Sequence, residues 1–342
     1  MAKIKDVAKL AGVSPACVSL ALNGKPYVSA KTKKRIYNAI EQLNYRPNII
    51  ARSLRNKKTH TIGLVLSDIT NPFFPEIARG VETKAREYGF NVILCNTDAD
   101  PLLEKNYIEV LLAKQVDGLI LTSVRIMDDL DKYTKENCPL VFINRKPPLS
   151  DFDFVGIDNV ASAKMAVEHL IKLGHRKIAL IRGEPASWAS FSRYEGYRMA
   201  LKEAGIPYSD NLVKIGYLRY ESGYRAMESL LKGSPIPTAI FCANDIMALG
   251  AIDACVDRKV KVPQDLAIVG FDDIWVASLK NVQLTTVHQP RYEMGAKAVE
   301  LMVERIIGKR KKTKRVILPT KLVIRRTCGA NFKISRGKWP NL

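Results

Sequence analysis

Polar and aromatic side chains follow the apolar runs in the middle of the chain, at the point where each run ends. Asp, Asn, Gln and Arg supply hydrogen-bond donors and acceptors, while Phe and Trp supply flat faces that stack on a ring. These types together suit a small polyhydroxylated ligand, whose ring and hydroxyl groups need both kinds of contact. We therefore predict a binding site formed by Asp68, Asn71, Phe73, Phe74, Arg145, Trp188, Arg193, Asn244, Asp272, Trp275 and Gln289.

Each of these residues alone also has an ordinary structural explanation. A polar residue directly after a strand commonly caps the next helix, and Asn159, Ser222 and Asp245 are candidates for that role. Phe73 or Phe74 would equally pack a helix against its sheet. The joint occurrence of so many suitable side chains at strand ends is what favours a ligand site.

Signatures of catalysis are missing from the sequence. It holds no G-x-G-x-x-G after the first predicted strand and no G-x-x-x-x-G-K-[ST] motif, and its four histidines have no convincing nucleophile nearby. The six cysteines are scattered, with no CxxC pair and no His at metal-ligand spacing. We therefore expect no enzymatic activity, no metal, no cofactor, and cysteines that are buried reduced thiols.

The residues of the predicted site must be positioned by short apolar runs that alternate with helical stretches. Near-continuous apolar strands separated by helices indicate parallel sheets covered on both faces, and their number favours two lobes with a cleft between them. Ligands bind such sheets at the carboxyl ends of the strands. The predicted strands cover residues 62–66, 92–95, 119–121, 140–143, 155–157, 178–181, 212–215, 239–242 and 266–271, with helices near 74–88 and 102–115.

The net charge of +20 over 342 residues lies at the two ends of the chain. Residues 1–60 carry +11 and residues 305–342 carry +13 without one acid, whereas residues 61–304 carry −4. A charge run is often only a solvated face, but a basic end with a suitable motif predicts a nucleic-acid partner.

The first sixty residues contain such a motif. Val7, Leu10 and Ala11 form one apolar helical face, and Gly12 ends that helix. Ser14-Pro15 is a good start for a second short helix, which ends near Asn23-Gly24. Two short helices joined by a tight turn predict a helix-turn-helix, whose second helix fits the major groove of DNA, and a third helix capped near Ser29 completes a small core.

The segments IKDVAKLAGVSPACVSLALNG, KPYVSAKTKKRI and LNYRPNIIARSLR closely resemble the headpiece of the LacI/GalR family of bacterial transcription regulators. The resemblance implies a double-stranded DNA operator as partner. It also implies DNA contacts from Lys5, Ser14, Pro15, Ala16, Cys17, Ser19, Leu20, Asn23, Arg52 and Leu54. Leu20 is a departure, because relatives mostly carry Arg or His there. An apolar side chain packs on a thymine methyl but cannot donate to a guanine edge, so we expect an altered base preference.

Residues 47–58 are predicted to form a linker whose order depends on DNA. The stretch Asn48–Leu54 is amphipathic but too short to hold a helix alone in water. The resemblance implies a hinge helix that folds on DNA and inserts Leu54 into the minor groove. A solvated linker is the alternative interpretation.

The resemblance continues through nearly the whole chain, in SDITNPFF, VDGLIL, FSRYEGY, TAIFCANDIMALG, VPQDLAIVGFDD and QLTTVHQP. It implies a core similar to periplasmic sugar-binding proteins, with Asp68, Arg193, Asn244, Asp272 and Gln289 touching the ligand. The expected architecture is an all-α headpiece (1–46), the linker, and an α/β core of two parallel-sheet lobes (59–328). Lobe 1 would hold about 61–158 and 290–318, and lobe 2 about 159–289 and 319–328.

The resemblance further implies a homodimer on a near-palindromic operator, controlled by a small effector in the cleft. We favour a sugar over a purine, and these residues do not decide between inducer and corepressor. A solute-binding protein would share the core, but it would need a signal peptide where this chain has a basic headpiece. No apolar stretch is long enough to span a membrane, so we expect a cytoplasmic protein. The basic extension 329–342 stays unassigned, either a solubilising tail or a second non-specific DNA contact.

Overall fold

The computed structural model describes residues 2–22, 27–45, 58–122, 138–145 and 152–330. The chain divides into two compact units, Met1–Thr59 and His60–Leu342. Residues 46–57, which include all but the last residue of the predicted linker (47–58), lie outside the described residues. So do Asn23, Arg52, Leu54 and most of the C-terminal extension, residues 331–342.

The first unit contains three helices in its described part: α1 (Ile4–Ala11), α2 (Pro15–Leu22) and α3 (Ala30–Gln42). Gly12, with φ of 63°, ends α1 in the left-handed conformation that glycine tolerates best. Ser29 caps α3 by accepting a hydrogen bond from the Thr32 N–H. The apolar faces of the three helices meet in one small core of Val7, Ala8, Ala11, Val18, Ala21, Val28, Ile36 and Ala39.

The second unit alternates strands and helices. Its first half contains β1 (Thr61–Leu66), α4 (Phe73–Glu87), β2 (Asn91–Asn96), α5 (Pro101–Ala113), β3 (Gly118–Leu121), β4 (Leu140–Ile143), β5 (Asp153–Ile157), α6 (Asn159–Lys172), β6 (Ile178–Arg182) and α7 (Trp188–Glu203). Its second half contains β7 (Val213–Ile215), α8 (Tyr220–Lys232), β8 (Ala239–Cys242), α9 (Asp245–Asp257), β9 (Ala267–Asp272), β10 (Thr285–His288), α10 (Arg291–Ile306), β11 (Arg315–Leu318) and β12 (Lys321–Val323). Short 3₁₀ helices precede β7 and follow β9.

These strands form two six-stranded sheets, in the orders β11-β5-β4-β3-β1-β2 and β12-β10-β9-β8-β6-β7. Every pairing is parallel except that of β10 with β12. The chain passes between the sheets three times, after Ile157, after His288 and after Leu318. Helices cover both faces of each sheet, which explains why the central strands are almost wholly buried and apolar.

The helices pack in pairs whose backbones approach closely at glycines. In the α8–α9 pair, a Cβ added to Gly223 would lie 2.3 Å from the Met247 carbonyl oxygen, and one added to Gly250 would lie 2.1 Å from the Tyr220 carbonyl oxygen. The α4–α10 pair has the same arrangement at Gly80 and Gly295. Glycine is therefore required at these crossings because no side chain fits between the two backbones.

We predict that Gly223→Ala lowers the stability of the core by about 1–3 kcal/mol, because the added methyl group forces α8 and α9 apart. The matched control is Gly233→Ala at the end of the same helix, where the nearest atom to an added Cβ, the Ser229 carbonyl oxygen, is 3.3 Å away. Chemical denaturation should show a clearly lower midpoint for Gly223→Ala alone. Equal midpoints for the two variants would contradict this account of the crossing.

Candidate functional site

Helix α2 of the first unit presents an exposed face that is suited to contact with another molecule. Pro15, Ala16 and Leu20 are exposed, with 40% of Leu20 accessible, whereas Val18 and Ala21 pack into the small core. Ser14 begins the helix by accepting a hydrogen bond from the Cys17 N–H at 3.2 Å. Lys5 is exposed on α1, and Ser19 is half-buried. Cys17, predicted to contact DNA, is half-buried and packs partly against the core.

The turn between α1 and α2 is fixed by Arg35, which lies on α3. Its guanidinium donates to the Ala11 carbonyl at 3.0 Å and to the Gly12 carbonyl at 3.0 Å. These carbonyls are left without helical partners where α1 ends, so the contact satisfies them and ties α3 to the turn. From the sequence, Arg35 is only one of several basic residues at the start of α3. Its contact with Ala11 was not predictable, because the two residues are 24 positions apart and no local pattern links them.

The polar residues at the strand ends of the second unit surround one cavity between the two sheets. The space open to the centres of water molecules is about 60 Å³, several times what one water needs. The carboxyl ends of both sheets therefore face each other across this cavity. The lining residues are Asn71, Phe73, Phe74, Thr122, Ile143, Asn144, Arg145, Ser187, Trp188, Ala189, Ser190, Arg193, Leu218, Asn244 and Asp272.

Five polar side chains form a closed ring at one side of the cavity, which we call the interlobe ring. Three of them, Asn144, Arg193 and Asp272, line the cavity. Arg193 Nε donates to Asn159 at 2.9 Å, Asn159 donates to Asn144 at 2.9 Å, and Asn144 donates to Gln289 at 3.4 Å. Gln289 donates to Asp272 at 2.6 Å, and Asp272 lies 3.6 Å from the Arg193 guanidinium. Asn144 follows β4 of the first sheet and Asp272 ends β9 of the second, so the ring joins the two lobes.

Two residues of the interlobe ring have unusual backbone conformations. Asn144 has φ of 51° and Asp272 has φ of 124°, in a region that favours glycine. Such conformations cost free energy and persist where surrounding contacts hold them, often at binding sites. The hydrogen bonds of the ring provide such contacts for both residues.

The cavity lining also contains a second arginine, Arg145, in a buried ion pair. Arg145 Nη1 lies 2.5 Å from Glu104 Oε1, and both side chains are almost wholly buried. Nε and Nη2 of Arg145 are buried without a hydrogen-bond partner among the described residues. Two donors of this side chain are thus available for a ligand.

The eleven predicted binding residues fall into three groups in the structure. Asn71, Phe73, Phe74, Arg145, Trp188, Arg193, Asn244 and Asp272 line the cavity. Gln289 is fully buried behind Asp272 and belongs to the interlobe ring. Asp68 and Trp275 do not line it, because Asp68 accepts hydrogen bonds from Thr70 in the turn before α4, and Trp275 is 67% exposed on a 3₁₀ helix.

The capping roles also differ from the sequence expectation. Asn244 caps α9 by accepting from the Met247 N–H at 2.9 Å, although it also lines the cavity. Asp245, expected to be a cap, is instead buried and accepts from the Thr286 hydroxyl and the Ile274 N–H. Asn159 is likewise no cap, since Asp158 caps α6.

Comparison with known proteins gives matches along almost the whole chain. The family described as bacterial regulatory proteins, lacI family, matches residues 3–48, and the periplasmic binding proteins and sugar binding domain of the LacI family matches residues 59–326. The transcriptional regulator DegA of Bacillus subtilis is 40% identical over 94% of this chain and 96% of its own length. The chain belongs to the LacI family. It is a transcriptional regulator with a DNA-binding headpiece and an effector-binding core.

Two further comparisons bear on the architecture of this LacI-family regulator. The transcriptional repressor PurR of Pasteurella multocida is 37% identical over 96% of this chain and 98% of its own length. The crystal structure of the Lac repressor dimer bound to operator and an anti-inducer superposes with a TM-score of 0.84, at 30% identity, over 96% of this chain and 99% of that chain. The predicted family and the predicted fold class, a helix-turn-helix headpiece with a two-lobed α/β core, are confirmed.

Two of the buried carboxyl groups in this LacI-family core, those of Asp245 and Asp272, lie close together but have different surroundings. Burial, together with the neighbouring Asp272 carboxylate, raises the pKa of Asp245 to about 7. Burial also raises the pKa of Asp272, to about 6, but Arg193 and Arg291 favour its charged form and oppose the rise. Asp272 therefore faces the cavity as the stronger hydrogen-bond acceptor near neutral pH, while Asp245 supports the sheet behind it.

Sequence reasoning missed three polar residues of this regulator's core. Glu104 lies in line with Ile108 and Leu111 on the buried face of α5, and an acid on an apolar stripe is itself a signal that a cation must be near. Asn144 directly follows β4, so its place at a strand end was a signal, whereas Asn159 had only the position of a possible helix cap. None of the described helices is long and apolar enough to cross a lipid bilayer.

We predict that Asp245→Asn changes how stability depends on pH. An acid whose pKa rises on folding binds a proton more readily in the folded state, so wild-type stability falls as pH rises from about 4 to about 7. Asn has no proton to lose, so relative to wild type the variant should gain about 1–3 kcal/mol between pH 5 and pH 8. Urea denaturation at both pH values measures the difference.

The control for loss of one carboxylate is Asp257→Asn, at the exposed end of the same helix α9. Its stability should follow the wild type across this pH range. An Asp245→Asn curve parallel to the wild type would show that the buried carboxyl does not titrate in this window.

Proposed function

We propose that this regulator binds a near-palindromic operator as a homodimer and that a small polyhydroxylated effector, a sugar, binds in the cavity and controls operator affinity. The observation that carries the effector proposal is the cavity lining, in which three aromatic side chains stand among acceptor and donor groups from both lobes. No cofactor is needed for this function, and binding rather than catalysis is its chemistry. As a repressor that acts on the chromosome, it would work in the cytoplasm.

The chemistry of the lining supports a sugar. Asp272 supplies a carboxylate acceptor, Arg145 and Arg193 supply donors, and the amides of Asn71 and Asn244 supply both. Trp188, the first residue of α7, lines the cavity. Its ring lies edge-on against Phe154, with ring centroids 6.0 Å apart. The family's core domain is described as sugar binding. A purine is the second candidate, supported by the similarity to PurR.

The interlobe ring supports a mechanism in which effector and operator binding are linked. An effector changes operator affinity only if it binds one arrangement of the lobes better than another. A sugar that hydrogen-bonds to Arg193 and Asp272 would share or replace the bonds that now close the ring, and so would alter how the lobes are held. We propose lobe 1 as about 61–158 and 290–318 and lobe 2 as about 159–289 and 319–328, joined by this ring.

The test begins with selection of an operator from randomised DNA by the wild-type protein. Thermal stability and operator binding are then measured with mono- and disaccharides and, separately, with nucleobases. A sugar that raises the melting temperature increasingly with its concentration, as mass action requires, and shifts operator affinity supports the proposal. A response to nucleobases alone would establish the purine alternative, and absence of any selected sequence would refute the operator proposal.

We predict that Trp188→Ala weakens binding of the identified effector at least about tenfold, because a stacking face is lost from the cavity. Trp275→Ala is the matched control, since that side chain is 67% exposed and does not line the cavity. Isothermal titration of both variants measures the effect. Equal losses in the two variants, or a full effector response in Trp188→Ala, would refute the placement of the effector.

We predict that Leu20→Arg changes the base preferred at one position of each operator half-site. An exposed leucine favours contact with a thymine methyl, while an arginine donates two hydrogen bonds to guanine, with discrimination of about 1–3 kcal/mol. Repeating the selection with this variant should move that position towards G·C and leave the other positions unchanged. The same preferred base for both proteins would show that Leu20 does not read the operator.

A further inference from the structure

The excess charge of residues 305–342 is concentrated on one loop of the core. Residues 305–315 contain seven Lys and Arg and no acid. Within the segment Lys309–Arg315, which we call the basic loop, the exposed cations are Lys309, Lys311, Lys312, Lys314 and Arg315. Among the residues that the structure describes, none of these five forms an ion pair with an acid.

The basic loop is held in place by Arg310, the one cation in it that is turned inward. Its two terminal nitrogens bond to the buried Asp153 carboxylate at 2.7 and 3.0 Å, and its Nε bonds to Glu304 at 2.9 Å. The Lys314 N–H also donates to Asp153, at 2.7 Å. The nearby acids are thus already neutralised, and the loop is anchored at both ends with its lysines directed to solvent.

The position of the loop follows from the sheet topology. It leads directly into β11, so it lies at the amino ends of the parallel strands of the first sheet. The headpiece and its linker join the core at β1, at the same edge of the same sheet. β11 and β1 are separated by β5, β4 and β3, so the two points are roughly 19 Å apart at about 4.8 Å for each strand spacing.

We propose that the basic loop contacts the phosphate backbone of DNA that flanks the operator. The proposal rests on the function proposed above. The cations lie at the edge where a DNA-bound headpiece is tethered, and a spacing of roughly 19 Å is about half a turn of the double helix, whose turn is about 34 Å long. Uncompensated lysines on a fixed loop match the regular array of phosphates, which they contact without reading sequence.

The decisive variant replaces Lys309, Lys311 and Lys312 by Gln in the full-length protein and leaves the Arg310 anchor intact. The matched control replaces Lys172, Lys177 and Lys202 by Gln, which removes the same charge from exposed positions at the amino-terminal edge of the second sheet. Since the carboxyl ends of both sheets face the cavity, this edge is at the opposite end of the core. Each protein is titrated with the selected operator alone and with the operator extended by about 15 base pairs on each side.

The proposal predicts that extension of the DNA strengthens binding by the wild type and the control but not by the basic-loop variant. On the long fragment the salt slope of the variant should be smaller than that of the wild type by about 2. Its affinity should then increase about 16-fold less than that of the wild type when salt falls from 200 to 50 mM. An unchanged slope for the variant, an equal loss on both fragments, or an equal loss in the control would overturn it. If the wild type selects no operator, both the proposed function and the basic-loop proposal are refuted. If the wild type binds its operator and the basic-loop variant behaves like the wild type, only the basic-loop proposal is refuted.

Discussion

The interlobe ring is the interaction on which the core of this protein most depends. Arg193 and Asp272 are buried charges, and burial of either one alone would cost far more free energy than one hydrogen bond returns. They are tolerable because Asn159 and the Ala243 carbonyl accept hydrogen bonds from Arg193, and Gln289 donates one to Asp272. Asn144 links the two amides to each other. The ring is therefore both a structural tie between the lobes and the polar wall that a ligand would meet.

The rest of the core can be understood as the frame that brings this ring together. Parallel strands put the polar residues of each sheet at one edge, and the three passages between the sheets bring the two edges face to face. Two ring residues, Asn159 and Gln289, lie at the passages themselves. Glycines where paired helices cross let the two helix backbones approach closely. This close packing holds the ends of the neighbouring strands at fixed positions.

The fold and much of the cavity were predictable because they depend on local patterns. Apolar runs marked most strands within one or two residues, and the residues just after them supplied eight of the lining side chains. β10 had no such pattern, since Thr285 and Thr286 are buried polar residues whose partners lie elsewhere in the chain. Trp275 also follows a predicted strand, but its predicted place in the binding site was wrong. The chain turns outward into a 3₁₀ helix directly after β9, and no local pattern in the sequence gives that direction.

The two edges of a parallel sheet differ chemically, and this protein uses both. In the first lobe the carboxyl edge of the sheet faces the cavity, while the amino edge carries the connection to the headpiece and the basic loop. Strands of four to six residues join the two edges, so a rearrangement that an effector stabilised at the carboxyl edge would reach the amino edge through one continuous sheet. Charge is separated along the chain in a parallel way, since the residues that line the cavity come from the nearly neutral centre, whereas residues 1–60 and 305–342 are basic.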